Sequence, residues 1–193
     1  LGGLQAITTV LADLPATYSV PIAVVQHRGR THDRHDSLTA ILARRTCLPA
    51  RVAEAGASAS QIGITVIPAQ ATATIDESGR WVLEADAMEM RPGDALLRSS
   101  ADTTPTVAVI LTGSLADGAE GCRAVKRAGG RVLVQDPAAA RASSMPANAI
   151  ATGCTDFVLP LEKISAALLA LTTAPGAAEL LTVPLPPWAR LSS

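Results

Sequence analysis

AVILTGSLADGAEG, residues 108–121, is the stretch on which the reading of the fold turns. An apolar, β-rich run from Val107 to Leu111 breaks into a small polar loop that presents Asp117, and a helix opens directly after it. A carboxylate just past the carboxyl end of a buried strand is well placed to orient a histidine. The chain holds one in a similar setting: His27, which closes IAVVQH at 22–27. Two members of a Ser/His/Asp set are therefore in view, without an obvious nucleophile among the 193 residues.

Outward from this stretch, strand and helix signals alternate. Leu4, Ile7, Val10, Leu11 and Leu14 recur at helical spacing behind Gly2-Gly3. IAVVQ (22–26) and TVAVIL (106–111) are continuous apolar runs of the kind found in strands covered on both faces. Ser37 suits the N-cap of the helix LTAILARRT, and short strands are predicted near 50–54 and 64–68. ATATID and RWVLEA, joined by Glu77-Ser78-Gly79, read as a hairpin, and a helix follows Pro92-Gly93-Asp94 with Asp94 in its first turn. A helix over 118–128 stops at Gly129-Gly130, RVLVQ (131–135) is a strand, a short helix follows Met145-Pro146, and FVLP leads to a helix over 161–172. This order predicts an α/β protein: a three-layer, doubly wound, mostly parallel sheet of Rossmann-like kind with a small β-hairpin. One domain is expected over 1–172, followed by a proline-rich tail over 173–193.

Composition narrows the function. A hydrophobic content of 48% with only 2% aromatic residues calls for a core of small aliphatic side chains. With 16 basic and 17 acidic residues the chain has no general attraction to nucleic acid. No run reaches membrane-span length and no signal segment opens the chain, so a cytoplasmic protein without membrane insertion is expected. Cys47, Cys122 and Cys154 show no ligand spacing and read as small buried thiols in a reducing compartment. His32 and His35 stand among Arg28, Arg30 and Arg34; His-x-x-His without further ligands is a weak signal, so no metal is expected. With Arg44 and Arg45 these arginines form a basic cluster, read as an exposed polar face or a docking surface for an acidic partner. Gly2-Gly3 lacks GxGxxG spacing and a P-loop lysine, which leaves a nucleotide-binding α/β protein as the weakest reading.

Taken in order, GG before a helix, VVQH, RPGDALLRSSA, VILTG-x-x-x-DG, AGGRVLVQD and SMP resemble the catalytic domain of the CheB chemotaxis protein-glutamate methylesterases. The resemblance runs from residue 1 to about 172 and implies a cofactor-free hydrolase. Such enzymes cleave glutamate γ-methyl esters on methyl-accepting chemotaxis receptors, and often deamidate receptor glutamines. It implies His27 as general base, Asp117 as the acid that orients it, and the backbone N–H groups of Leu1 and Ser114 as the oxyanion hole. The nucleophilic serine of the family's G-x-S-x-GG motif would fall immediately before Leu1, on an upstream strand, so a truncated amino end is expected. Ser58, Ser60 and Ser114 lack the strand–serine–GG context. The family's LTG-Met-Gly-x-Asp-Gly loop is LTG-Ser114-Leu115-Ala116-Asp117-Gly118 here; if that glycine takes positive φ, Leu115 is strained. The segment 68–73 lacks a histidine common in the family, Arg-Gly-Arg follows His27, and the family's receiver domain is expected to be absent from these 193 residues. The competing expectation is a catalytically inactive module that keeps the fold and binds a receptor or another signalling protein.

Overall fold

The computed structural model describes residues 2–27, 37–85 and 91–173. Helix α1 (Gly3–Ala12) leads to strand β1 (Ile22–Val24), followed by α2 (Ser37–Arg45), β2 (Ala50–Val52) and β3 (Ile64–Val66). Strands β4 (Ala71–Ile75) and β5 (Trp81–Ala85) form an antiparallel hairpin in which Thr74 faces Val82. Helix α3 (Pro92–Thr103), β6 (Val107–Ile110), α4 (Ala119–Arg127) and β7 (Arg131–Gln135) come next. A 3-10 turn at Pro137–Ala139, α5 (Ser144–Ala151), β8 (Phe157–Leu159) and α6 (Leu161–Thr173) complete the described chain.

Apart from the hairpin, every ladder is parallel. One runs β1-β3-β2 and the other β6-β7-β8. The two middle strands are the most deeply buried, as covering on both faces requires: Ile64 and Val66 in β3, and Val132, Leu133 and Val134 in β7, are all fully buried. Each such side chain contributes about 1.5–3 kcal/mol relative to leaving it in water. Alternation along β6 and β7 sorts the layers. Val107, Val109 and Leu133 face Val10 of α1 and Ile164, Leu168 and Leu171 of α6. Ala108, Ile110, Val132 and Val134 face Cys122 and Val125 of α4 and Ala149 of α5. Val24 and β3 pack under α1 and α2, while the hairpin and Leu96 of α3 close over Ala53 and Ile67. Leu111 reaches both the core under α1 and α2 and the core under α6. Ser165 Oγ donates to the Val10 carbonyl at 2.8 Å and fixes α6 on α1. These layers are those of the expected α/β class.

Some expectations shift. IAVVQ reads as covered on both faces, yet Ala23 is exposed, because the hairpin–α3 layer reaches Val25 and stops short of it. Ser37 is the first residue of α2. The short helix α5 starts at Ser144, ahead of Met145-Pro146, and α6 runs through Thr173. Cys122 and Cys154 are buried, and burial pushes the Cys122 thiol up to about 12; Cys47 is exposed in the turn after α2, which corrects the reading of three buried thiols. The tail over 174–193 lies outside the described residues. Among the described residues, no helix is long and apolar enough to cross a membrane.

One polar cluster ties β7 to β8. The Asp156 carboxylate accepts from Lys126 Nζ, from Arg131 Nη1 at 3.0 Å and from the Val132 N–H at 2.8 Å, and all three side chains are largely withdrawn from solvent. Asp156→Ala would remove the carboxylate that Lys126 and Arg131 share, at an expected cost of about 3–5 kcal/mol in urea unfolding. A loss below about 1 kcal/mol would show that water already screens the cluster.

Candidate active site

The parallel strands end at one rim of the fold, where loops converge and helix amino ends expose unpaired N–H groups. Helix α3 begins there at Pro92, which fixes φ for the first turn and has no N–H to leave unsatisfied. Its next two N–H groups are taken by one carboxylate. Gly93 N donates to Asp117 Oδ2 and Asp94 N to Asp117 Oδ1, both at 2.9 Å. Gly93 matters through its missing Cβ, which would stand 3.0 Å from Asp117 Oδ2. Gly118 then turns the chain into α4 at φ 90°, where a side chain would meet Ile110.

His27 completes the arrangement. Its Nε2 lies 2.8 Å from Asp117 Oδ2; the aspartate is 6% exposed, whereas the imidazole is 53% exposed and open to an incoming molecule. The hydrogen bond that His27 donates to Asp117, reinforced by the aspartate charge, outweighs partial burial and raises the His27 pKa above 6.5. Burial alone would raise Asp117, but the His27 hydrogen bond and the two backbone donors hold its pKa below 3.8. Structure therefore brings together the two side chains that sequence reasoning selected.

The pair stands beside the amino end of α1. A Cβ on Gly3 would approach Gln26 Nε2, next to His27, to 3.1 Å, and a Cβ on Gly2 would press on the Arg141 side chain. The 141–145 segment in turn holds the loop before Asp117: Gly113 N donates to the Ala142 carbonyl and Met145 N to the Gly113 carbonyl, each at 3.0 Å. Contacts thus run in a closed ring from α1 through Arg141, Gly113, Asp117 and His27 to Gln26, and back to α1. Leu115 has φ 72°, as expected for a leucine at a position that favours glycine. Such a backbone costs roughly 1–2 kcal/mol. Two hydrogen bonds hold it there: Leu115 N donates to Ser144 Oγ at 3.0 Å, and Asn148 Nδ2 donates to the Leu115 carbonyl at 2.8 Å.

Ser114 is exposed in this loop, and among the described residues its N–H has no hydrogen-bond acceptor. Ser58 and Ser60 bond to each other in a separate loop that pairs with Arg80. Leu1, His32 and His35, with Arg28, Arg30 and Arg34, lie outside the described residues.

Sequence reasoning missed Asp94 as part of the site. Its carboxylate is 6% exposed and accepts from the Gly121 N–H of α4 at 2.8 Å, joining the amino ends of α3 and α4 beneath Asp117. Burial raises its pKa, the Gly121 bond partly opposes this, and the Asp117 charge adds to the rise. Arg91, whose Nη1 donates to the Ala116 carbonyl at 3.3 Å, was missed too. A signal existed: Pro-Gly-Asp opening a helix advertises free N–H groups that suit an anion.

Fold and site together define a three-layer α/β protein with a histidine–aspartate pair at the strand-end rim. The family profile described as CheB methylesterase matches residues 1–168, and the chain belongs to that family. It is 33% identical over 175 residues to a Rhizobium meliloti protein named protein-glutamate methylesterase/protein-glutamine glutaminase of group 3 operon, covering 88% of this chain and 49% of that one. A Halobacterium salinarum protein named protein-glutamate methylesterase/protein-glutamine glutaminase is 33% identical over 180 residues, covering 86% of this chain and 50% of its own length. The chain thus spans about half the length of these two relatives. The crystal structure of the Thermotoga maritima CheB methylesterase catalytic domain superposes with a TM-score of 0.78 at 30% identity, over 89% of this chain and 94% of that one.

The Asp117 cradle predicts the behaviour of Asp117→Asn. Three N–H donors converge on two carboxylate oxygens, so an amide must turn its NH2 toward at least one donor; a loss of about 1–3 kcal/mol is expected in thermal or urea unfolding. The His27 pKa, read by NMR titration, should fall back toward 6.5. The sign for stability follows from the same shift. In the wild type the imidazolium–carboxylate pair stabilises the fold fully below about pH 6.5, and that contribution is lost as pH rises through the raised His27 value. An unchanged His27 titration in the variant would show that the pair does not persist in solution.

Proposed function

We propose that the His27–Asp117 pair is the base and orienting acid of a serine esterase. Its substrate is the glutamate γ-methyl ester of a methyl-accepting chemotaxis receptor or a related signalling protein. The observation that carries this reading is the 2.8 Å bond from His27 Nε2 to an aspartate held by two backbone donors. It leaves the second ring nitrogen, Nδ1, as the acceptor in neutral His27.

In the mechanism that follows, Nδ1 takes the proton of a serine at the position immediately before Leu1, as the family resemblance implies. Asp117 stabilises the imidazolium that forms, and the N–H groups of Leu1 and Ser114 bind the tetrahedral oxyanion. His27 returns the proton to departing methanol, and water, activated by the same nitrogen, releases the glutamate carboxylate. A strand leading to that serine would find partners in β1 and β6, each of which ends its ladder with one edge unpaired among the described residues. Glutamine deamidation would use the same groups, with ammonia leaving in place of methanol. No step calls for a cofactor, and the protein would work in the cytoplasm.

The full-length protein tests this directly. It should take up a serine-directed fluorophosphonate at one residue, visible by mass spectrometry, and release methanol from a methylated receptor fragment with kcat/KM rising with pH through the raised His27 pKa. His27→Gln and Asp117→Asn should each lower turnover by about three to four orders of magnitude. A folded protein that forms no adduct and releases no methanol would favour the second reading, an inactive receptor-binding module. The strained Ser114-Leu115 departure in the loop next to Asp117 supports that alternative.

A further inference from the structure

We infer that Leu115 is a specificity-determining contact, covering an apolar side chain next to the ester-bearing glutamate of the protein substrate. The inference rests on the esterase reading and deepens it. Leu115 is 79% exposed, the most exposed large apolar side chain among the described residues, and it belongs to none of the four hydrophobic clusters of the described fold. It holds φ 72°, a conformation glycine adopts without strain, so its side chain stabilises nothing inside the molecule while its backbone is disfavoured.

The loop nevertheless holds it firmly. Its N–H is bonded to Ser144 and its carbonyl to Asn148, Gly113 is bonded on both sides to the 142–145 segment, and Arg91 holds the Ala116 carbonyl. With both backbone groups engaged, the isobutyl group is what this residue has left to offer a ligand. It follows Ser114, whose N–H the esterase reading places at the oxyanion, and stands two residues before Asp117, which holds the half-exposed His27; on that reading a protein chain that presents an ester to His27 meets this loop. A fixed apolar group with no partner of its own gains only by covering apolar surface, and because the loop is already ordered, little entropy is lost when it does so.

Two capped peptides carrying a glutamate γ-methyl ester, one flanked by leucine and the other by serine, test the contact on the full-length protein. The wild type should favour the leucine peptide by about tenfold in kcat/KM. In Leu115→Gly and Leu115→Asn, both compatible with φ 72°, the ratio should fall close to one, and Leu115→Met should keep it. A ratio unchanged in the glycine and asparagine variants, or close to one in the wild type, overturns the inference and leaves the esterase reading standing. Should the wild type hydrolyse neither peptide and form no fluorophosphonate adduct, the esterase reading fails; with the adduct formed, that reading stands. The same ratio is then read as Kd by fluorescence anisotropy, where a leucine preference lost in Leu115→Gly sustains the contact and equal Kd values overturn it.

Discussion

The docking of the Asp117 carboxylate on the first turn of α3 is the interaction on which the rim depends. Three donors from two distant segments converge on it: the Gly93 and Asp94 N–H groups, and His27 at the end of β1. A carboxylate that is 6% exposed would be costly to ionise alone, yet here each oxygen is satisfied and the amino end of a helix adds its partial positive charge. The same bonds join the loop after β6 to α3 and both to β1. Without them a half-exposed imidazole on an irregular segment would have several rotamers of similar energy. With them, one ring edge is committed and the other is presented outward.

Around that carboxylate the fold accepts strain where it could have avoided it. Asn148 and Ser144, both on α5, hold Leu115 in a left-handed conformation, and their bonds are of the size needed to offset it. The cost falls on a loop beside the histidine–aspartate pair, while the packing of β3 and β7 beneath has no such compromise. That division suits a rigid sheet that positions loops, with the loops carrying the differences among relatives.

What was legible in the sequence follows the physics of burial. VLV within RVLVQ and the two ends of ITV are buried β-branched or aliphatic residues, so β7 and β3 announce themselves, and the glycines after α4 mark its end. His27 and Asp117 were singled out because both follow apolar strand runs, and strand ends are where parallel folds gather their loops. Cys47 and Ala23 were misjudged because exposure depends on which layer reaches them, a tertiary fact that local pattern does not encode. Asp94 was read only as a favourable first-turn acid. Its carboxylate bonds across to Gly121, twenty-seven residues away, and no local periodicity reports a contact of that range.

Asp94 also shows how two neighbouring carboxylates are given different proton affinities. Asp117 has the imidazole and two backbone donors, which carry its pKa below the ordinary value despite burial; Asp94 has the single Gly121 donor, and burial wins. A group whose folded pKa is raised favours the folded state in its protonated form, so Asp94 takes up a proton first as pH falls. Its charge is then removed from beside Asp117, lessening the repulsion that would otherwise push Asp117 to protonate in turn. The carboxylate that holds His27 therefore keeps its charge further into acid than burial alone would allow. Donor number, set by where α3 and α4 begin, decides which of the two acids serves the imidazole and which serves the frame.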